Sequence, residues 1–376
     1  MRELTLAAFA LLVVACERPH RVADPRPPAP VPFLSPAAIA SVALSSDDLC
    51  VLLANGGVLC RRDYRARTPG VVPTSFVTMF AEGDVQEVAL GGGHACVRHA
   101  TGAVECWGDN DNGEVTGDEL VVPTPRVVPI SGAATAVALG DEKSCALLID
   151  GRVSCWGRFL GVRRPPAVLP VLTEVVELRM SGPSLCLRTK SGLVRCGRGD
   201  SALFAVENVP AAAQIVVGED HGCARLTNGT VACWPLRKDD FAPPKTTLVA
   251  RAVEGLSDVV QLASGVGHAC ARRADRAVLC WGSNDYGELG DGSRTPRATP
   301  APVLADAMEL TAGGHRTCVR RAQGGVVCWG QNLLDDAMYH ALTGLQSPPG
   351  PPSEDDSLRP EPLRVPGALQ VASAGG

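Results

Sequence analysis

Short apolar runs that end in glycine recur along most of the chain, for example at 85–91, 135–140, 259–265 and 308–313. Each run has the length of a strand rather than of a helix and stops at a turn-forming residue. A segment with two cysteines follows each run, and in several copies a Val/Pro segment such as 124–129 comes next. Proline is tolerated in an outer strand of a sheet. The pattern therefore predicts four short β-strands in every copy.

The cysteines give the number of copies. Fourteen of the fifteen form pairs ten positions apart, and the first members are separated by 46, 49, 41, 37, 47 and 48 residues, a period typical of propeller blades. One four-stranded sheet cannot bury both of its faces, whereas sheets stacked around an axis can. We therefore predict an all-β fold, a seven-bladed β-propeller of four-stranded antiparallel blades. The pairs are Cys50 and Cys60, Cys96 and Cys106, Cys145 and Cys155, Cys186 and Cys196, Cys223 and Cys233, Cys270 and Cys280, and Cys318 and Cys328.

The spacing of the cysteines also predicts the geometry of each hairpin. A three-residue loop centred between them needs a residue in the left-handed conformation six positions after the first cysteine. Glycine stands there in every copy except the sixth, which has Arg276. The same register places the two cysteines opposite each other at Cα separations of about 4.5 to 5.5 Å, within the range that a disulfide accepts.

The first residues of the chain predict a lipoprotein signal. The apolar stretch Leu4–Val14 is too short to span a bilayer and is followed by Ala15 and Cys16. This resembles a lipobox, which implies a signal peptide at 1–16, lipidation of Cys16 and, because Glu17 rather than Asp follows, anchoring in the outer membrane. An ordinary cleaved signal peptide is the alternative. Residues 17–38 are rich in proline and predict a disordered tether, which leaves 39–376 for the propeller.

Both ends of the propeller region contain a segment that fits the inner strand of the first blade. Residues 38–44 precede the first hairpin, and 369–376 repeat the pattern of an inner strand at the end of the chain. A closed ring removes open sheet edges. We expect both segments to take part in closure, with the loss of an eighth copy as the alternative.

The sixth copy carries the residues of a known repeat. It reads Gly-His-Ala-Cys at 267–270 and Cys-Trp-Gly-Ser-Asn-Asp-Tyr-Gly-Glu-Leu-Gly at 280–290. This resembles the repeat of the regulator-of-chromosome-condensation family, which implies a seven-bladed propeller. Weaker copies extend the resemblance over about residues 40–376. The first and fourth copies depart from it, because Arg61 and Gly197 stand where the repeat has tryptophan.

The cysteine pairs leave three chemical states open. Export to an oxidising compartment favours a disulfide in every pair. Buried reduced thiols are one alternative. A metal site that joins a cysteine pair to His94 or His268 is the other, although the CxxC spacing of structural zinc sites is absent. We expect no metal and no cofactor.

The other conspicuous side chains are expected to be structural. His94, His268 and His315 follow glycine at the start of hairpins, with His221 nearby, and we assign them to packing and turn hydrogen bonds. The tryptophans after the second cysteines are expected to pack in the blades with their indole N–H groups satisfied. The acidic stretch 109–114 departs from the calcium-loop pattern and predicts a polar turn. No phosphate-binding or hydrolase motif occurs.

These observations favour binding over catalysis. The net charge of −5 and pI of about 5.8 argue against nucleic acid as a partner. We expect a monomeric, envelope-anchored, non-catalytic scaffold that binds an extracellular or periplasmic protein or glycan. Its recognition loops are expected at 62–84, 109–125, 157–171, 234–250 and 331–361.

Three alternatives remain. The resemblance implies two of them. One is inhibition of a secreted enzyme, as by a bacterial family member that inhibits β-lactamases, and the other is guanine-nucleotide exchange on a small GTPase. The third, a polysaccharide lyase built on a propeller, requires clustered carboxylates at the central channel.

Overall fold

The fold is known from a computed structural model, and every regular element in the described part of the chain is a β-strand. Residues 1–38 lie outside the described residues, and so do the predicted signal, Cys16 and the tether. The described residues are 39–45, 48–60, 76–159, 162–169, 173–198, 202–237, 247–322, 324–331, 358 and 360–362.

Seven antiparallel sheets, the blades, follow one another along the chain, and we letter their strands A to D from the inner to the outer edge. The chain order of the strands therefore matches their order across each sheet. Blade 1 contains β1 (Ile39–Leu44), β2 (Leu49–Leu53), β3 (Val58–Cys60) and β4 (Val77–Phe80); blade 2 contains β5 (Val85–Leu90), β6 (His94–His99), β7 (Val104–Asp109) and β8 (Val121–Val127); blade 3 contains β9 (Ala134–Leu139), β10 (Lys143–Leu148), β11 (Val153–Phe159) and β12 (Val162–Val168).

The remaining blades follow the same plan with one exception. Blade 4 contains β13 (Val175–Ser181), β14 (Ser184–Thr189), β15 (Val194–Arg198) and β16 (Phe204–Glu207), joined by β20 (Thr247–Val249) from later in the chain; blade 5 contains β17 (Ala212–Val217), β18 (His221–Leu226), β19 (Val231–Pro235) and β21 (Arg251–Ala252); blade 6 contains β22 (Val259–Ser264), β23 (His268–Arg273), β24 (Val278–Gly282) and β25 (Arg297–Leu304); blade 7 contains β26 (Ala307–Gly313), β27 (Arg316–Arg321), β28 (Val326–Gly330) and β29 (Glu361–Pro362). The exception is β20, which pairs with blade 4.

Strand β20 makes blade 4 five-stranded, which the four-stranded prediction did not include. It lies in the chain segment that joins β19 to β21 of blade 5, yet it pairs in parallel with β16, with Val206 opposite Leu248. An outer strand presents unpaired backbone groups. The added strand covers that edge of blade 4.

The seven-bladed propeller is confirmed, and its ring closes between blade 7 and blade 1. Ile39 and Val51 of blade 1 pack in one buried cluster with Cys318 and Val326 of blade 7. Strand β1 occupies the place beside β2, with Ala43 opposite Cys50. The part of the expectation that concerns residues 369–376 stays a prediction, because those residues lie outside the described part; within it, β1 forms the inner edge of blade 1.

Every hairpin has the predicted register. The two cysteines of each pair lie directly opposite each other and are joined by a disulfide, at Cα separations of 4.0 to 4.1 Å, slightly below the expected range. The loop glycines have positive φ, such as +83° at Gly102, and Arg276 takes the same conformation at +70°. Seven disulfides are consistent with an extracellular or exported protein.

Polar side chains of the inner strands join neighbouring blades. The amide of Gln261 accepts the backbone N–H of Leu310 at 3.1 Å and donates to its carbonyl at 3.0 Å. Gln214 binds Leu262 of the next blade in the same way, at 2.9 and 3.0 Å. Glu177 can only accept, and it receives the N–H of Ile215 at 3.1 Å. These contacts, which we call the clasps, satisfy backbone groups at the exposed edge of the inner strands.

Candidate functional site on the loop face

The strand order gives the ring two different faces. The A–B turns and the C–D connections leave each blade at one end, which we call the loop face, because the start of strand B pairs with the end of strand C, as His94 pairs with Gly108. The B–C hairpin turns and the D–A connections lie at the other end, the hairpin face. The hairpin face is uniform, since four residues separate strands B and C in every blade and two to six residues separate strand D from the next strand A.

The loop face carries the long connections. Four of the five predicted recognition loops contain a C–D connection whose length differs from blade to blade. The expected loop at 157–171 is wrong, because β11 and β12 continue through it and only 160–161 join them. A long connection at 283–296, between β24 and β25, was missed, since its sequence resembles the family repeat and was assigned to the blade. Segments 61–75, 238–246 and 332–357 lie outside the described residues.

A belt of close backbone contacts surrounds the channel at this face. The A–B turns touch from blade to blade, with Gly92 N–H on Gly140 O at 3.2 Å and Val266 N–H on Gly314 O at 2.8 Å. A Cβ added at Gly140 or Gly265 would overlap the carbonyl oxygen of the next turn. Glycine is required there because the backbones approach each other directly.

Two C–D connections bind the next blade through equivalent hydrogen-bond networks. In the first, the Glu114 carbonyl accepts the Ser144 hydroxyl at 3.0 Å and the Trp156 indole N–H at 2.7 Å. Asn110 is buried and holds the connection by accepting the Val115 N–H at 3.0 Å. The segment 109–114 is therefore the polar turn that was predicted.

The second network repeats this arrangement between blades 6 and 7. The carbonyl of Glu288 accepts the hydroxyl of Thr317 at 3.2 Å and the indole N–H of Trp329 at 2.8 Å. The prediction of satisfied indoles is thus confirmed for Trp156 and Trp329. It is wrong for Trp234, whose buried Nε1 has no hydrogen-bond partner.

The buried histidines belong to these networks, as predicted. Nε2 of His94 lies 2.7 Å from Ser144 Oγ, and Nε2 of His268 lies 2.8 Å from Thr317 Oγ1. Because each hydroxyl donates its hydrogen to a carbonyl, each Nε2 carries the proton that completes the pair. Burial lowers the pKa of both imidazoles to about 3, so both are neutral.

The sequence grouped the other two histidines incorrectly. The register places His221, opposite Pro235, at the position equivalent to His94 and His268. In blade 7 that position is held by Arg316, opposite Gly330, so His315 lies one residue earlier, in the A–B turn. The Gly-His motif therefore does not identify the equivalent histidines, whereas the distance of two residues to the following cysteine does.

His221 lies between a carboxylate and a hydroxyl. Its Nδ1 is 3.1 Å from Asp220 Oδ1, and its Nε2 is 2.8 Å from Ser264 Oγ at the end of the inner strand of blade 6. The side chains of His221 and Asp220 are 20% and 47% exposed. The sequence analysis did not identify this group, because its residues come from two blades. The available signal was Ser264, which follows the Asp220-His221 pair at about the spacing of one blade.

His315 lies in the adjacent turn with its own carboxylate. Its Nδ1 is 3.0 Å from Oε1 of the buried Glu288, and its ring lies against the ring of Tyr286, with centroids 4.4 Å apart and a tilt of 38° between the planes. The carbonyl of the preceding residue, Gly314, receives the Val266 N–H from the turn of blade 6. The loop face of blades 5 to 7 therefore combines histidines, carboxylates, one serine and an exposed tyrosine.

Carboxylates accumulate at the channel mouth on the same face. Burial raises the pKa of Asp141, and the neighbouring Glu219 and Glu142 raise it further. Arg158 lies 3.4 Å from Glu142, and Arg198 binds the Glu219 carbonyl, so basic groups are present at the edge of this region. The mouth at blades 3 to 5 is predominantly acidic.

The search for other kinds of site gives two findings. Within the described residues, no group of three or more His, Cys, Asp or Glu side chains is arranged to hold a metal ion. The same part of the chain has no helix with the length and hydropathy that a membrane crossing requires.

Comparison with known proteins places the repeats in context. Residues 85–114 and 259–288 match the profile of the Regulator of chromosome condensation (RCC1) repeat. These segments comprise strands A to C and the start of the C–D connection in blades 2 and 6, the two blades that form the carbonyl networks. A search of curated proteins finds no match.

Solved structures share the fold at low sequence identity. Prp20p from Saccharomyces cerevisiae, described with its binding to Gsp1p and histones, is 19% identical over 74% of this chain and 77% of its own, with a TM-score of 0.60. Yeast RCC1 (Prp20), in complex with Kap60, is 17% identical over 93% of this chain and 91% of its own, with a TM-score of 0.63. Human WBSCR16 is 18% identical over 73% of this chain and 84% of its own, with a TM-score of 0.57. The chain is therefore similar to an RCC1-type propeller.

Proposed function

We propose that this protein is an exported, lipid-anchored scaffold that binds a protein partner on its loop face, a function that needs no catalysis. One observation carries the proposal: the connections that differ between blades leave from the loop face, whereas the hairpin face has uniform short turns. Variable connections on a rigid frame are the usual basis of specific recognition. An RCC1-like propeller fits a protein-binding scaffold in general.

Three kinds of contact make the frame rigid. Disulfides close the hairpins, the clasps join inner strands and the glycine belt holds the A–B turns in contact. A preorganised surface loses little conformational entropy when a partner binds. The connections can therefore differ in sequence without disturbing the ring.

The chemistry of the loop face favours a partner with a basic segment. Asp141, Glu142 and Glu219 give the channel mouth a negative field, which attracts and orients Lys and Arg side chains. Tyr286 and Leu120 are 40% and 62% exposed and offer apolar contacts on the same face. Aromatic residues are only 4% of the chain, so tight inhibition of an enzyme, which relies on aromatic anchors, is disfavoured.

Two features support the proposal of export and anchoring. The disulfides need an oxidising compartment, and Cys16 in its lipobox-like setting would attach the chain to the envelope, in the outer membrane. Guanine-nucleotide exchange is the function that the likeness to Prp20p suggests as an alternative. Export would separate this protein from a cytosolic GTPase, which is why we favour the scaffold.

Site-specific photo-crosslinking in the native cells tests the binding face. A photoreactive amino acid replaces Leu120 or Tyr286 on the loop face, and Ile149 or Leu193 on the hairpin face serves as the control of matched exposure, 76% and 40%. We expect a protease-sensitive adduct from both loop-face positions and none from the controls. Adducts from the hairpin face alone, or none from the loop face, would refute the proposal, and a protease-resistant adduct would indicate a glycan instead.

Intact mass of the mature protein, alkylated with and without prior reduction, tests the location. We expect a lipid-modified N-terminal Cys16 and fourteen cysteines that react only after reduction. An unlipidated chain with reactive thiols would contradict export and return the exchange-factor alternative to first place.

A further inference from the structure

Asp220, His221 and Ser264 have the geometry of an activated serine. Ser264 Oγ lies 2.8 Å from His221 Nε2, and Asp220 Oδ1 lies 3.1 Å from His221 Nδ1. These are the separations at which a histidine accepts a serine proton while a carboxylate holds the imidazole in place. The group is assembled across two blades: Asp220 ends the A–B turn of blade 5, His221 begins β18, and Ser264 ends β22 of blade 6.

The direction of the hydrogen bond distinguishes this group from the other histidine–hydroxyl pairs. The His221 hydrogen bond lowers the pKa of Asp220, so its carboxylate is ionised and must accept from Nδ1–H. In the neutral imidazole, Nε2 is then the acceptor, and the nearest donor is the Ser264 hydroxyl. The Ser264 hydroxyl can also donate to the carbonyls of Gly265 and His268, both at 3.3 Å, and its contact with Nε2 is the shortest of the three.

In the buried networks the hydrogen bond between histidine and hydroxyl runs in the opposite direction. Ser144 donates to the Glu114 carbonyl, so His94 Nε2–H must be the donor, and buried His94 Nδ1 has no partner. Such a histidine cannot take a proton from its serine. The chain therefore contains a structural histidine–serine pair that serves as an internal reference for His221 and Ser264.

The group is also open to solvent, unlike its reference. His94 and Ser144 are fully buried, whereas Ser264 is partly exposed and the His221 side chain is 20% exposed. Glycines at 218 and 265 lie against the imidazoles of His221 and His268, where a Cβ would overlap the rings. No side chain at these positions covers the group from the channel mouth.

We propose that Ser264 is a nucleophile that accepts the acyl group of small carboxylic esters at the channel mouth. Oγ attacks the ester carbonyl carbon as its proton moves to His221 Nε2, and the alcohol leaves with that proton, so the acyl group stays on Oγ. A water molecule then attacks the acyl carbon with His221 as base, which releases the carboxylic acid and restores the hydroxyl. Asp220 is a positioning residue, because it acts through His221.

A fluorophosphonate probe tests the nucleophile in the full oxidised chain. Oγ displaces fluoride from the probe and forms one phosphonyl adduct per protein, which intact mass and peptide mapping measure. We expect the adduct on Ser264 in the wild type, its absence in Ser264→Ala and its persistence in Ser144→Ala. His221→Gln should lower the labelling rate by about 10²- to 10⁴-fold, because the general base is lost.

Hydrolysis of p-nitrophenyl acetate tests the turnover and the role of Asp220. Asp220→Asn removes the negative charge beside His221, so the rise of rate with pH should begin at lower pH and reach a lower plateau; a purely structural role would leave the profile in place. Failure of the wild type to label, or labelling that survives in Ser264→Ala, would overturn the proposal. Both results are independent of the partner that binds the loop face.

Discussion

The clasp formed by Gln261 can be removed with one substitution. Its amide satisfies both backbone groups of the buried Leu310 and accepts Arg272 Nε at 3.0 Å. Gln261→Ala leaves the N–H and the carbonyl of Leu310 without partners. Each unsatisfied buried group costs about 1 to 3 kcal/mol, and the channel is close enough for partial solvation, so we expect the free energy of unfolding to fall by about 2 to 4 kcal/mol.

Urea denaturation of the oxidised protein, followed by tryptophan fluorescence, measures this loss. Gln261→Glu keeps the acceptor for the Leu310 N–H but has no donor for its carbonyl, and it should lose about 1 to 2 kcal/mol. Gln86→Ala is the matched control, since Gln86 is an exposed inner-strand residue of blade 2; it should stay within about 0.5 kcal/mol of the wild type.

The order of these three variants decides the interpretation. If Gln261→Ala matches the control, water from the channel satisfies the inner strand and the clasp has no energetic role. If Gln261→Glu lowers the free energy of unfolding as much as Gln261→Ala does, the bond that Gln261 donates to the Leu310 carbonyl accounts for the whole effect.

Three further predictions concern the blades. Arg276→Gly should raise the free energy of unfolding, measured in urea, by about 0.5 kcal/mol, because the relief of left-handed strain outweighs the entropy that glycine adds to the unfolded chain. Gly102→Ala should lower the free energy of unfolding, since its Cβ would meet Ala133 Cβ at 2.6 Å. Equal effects of the two substitutions would contradict the hairpin geometry. Burial raises the pKa of Glu87, so the folded state binds a proton more tightly than the unfolded one and stability falls as pH rises above about 4.5. Glu87→Gln should therefore reduce the loss of the urea midpoint between pH 4 and pH 7, and an unchanged loss would contradict this account. Replacing Cys96 and Cys106 together by serine should cost about 2 to 3 kcal/mol without reductant, and no change would show that register alone holds the hairpin.

The clasps had a signal in the sequence that was not used. An acidic or amide residue on strand A and an arginine on strand B are eleven positions apart in five copies: Glu87 and Arg98, Glu177 and Arg188, Gln214 and Arg225, Gln261 and Arg272, and Glu309 and Arg320. The spacing indicates a cross-strand pair. It does not indicate that the same side chain reaches the backbone of the next blade, because that contact depends on how closely the blades approach.

The candidate site was less predictable than the fold. His221 and Ser264 are 43 residues apart, and their contact depends on the packing of blade 5 against blade 6. The direction of their hydrogen bond depends on Asp220 in addition. Asp220 before His221 and a serine one blade period later distinguish His221 from His268 in the sequence, but neither feature shows that packing brings the two side chains into contact.

The sequence alone determined what happens inside a blade: the number of blades, the hairpin register, the cysteine pairing and the left-handed position at Arg276. These features are local, because a hairpin is set by its turn residues and by the spacing of a few side chains. Only the tertiary structure decided what happens between blades: closure by β1, the added strand β20, the clasps and the serine–histidine contact. Such contacts join residues many positions apart, and they exist only after the ring has closed and brought the inner strands together.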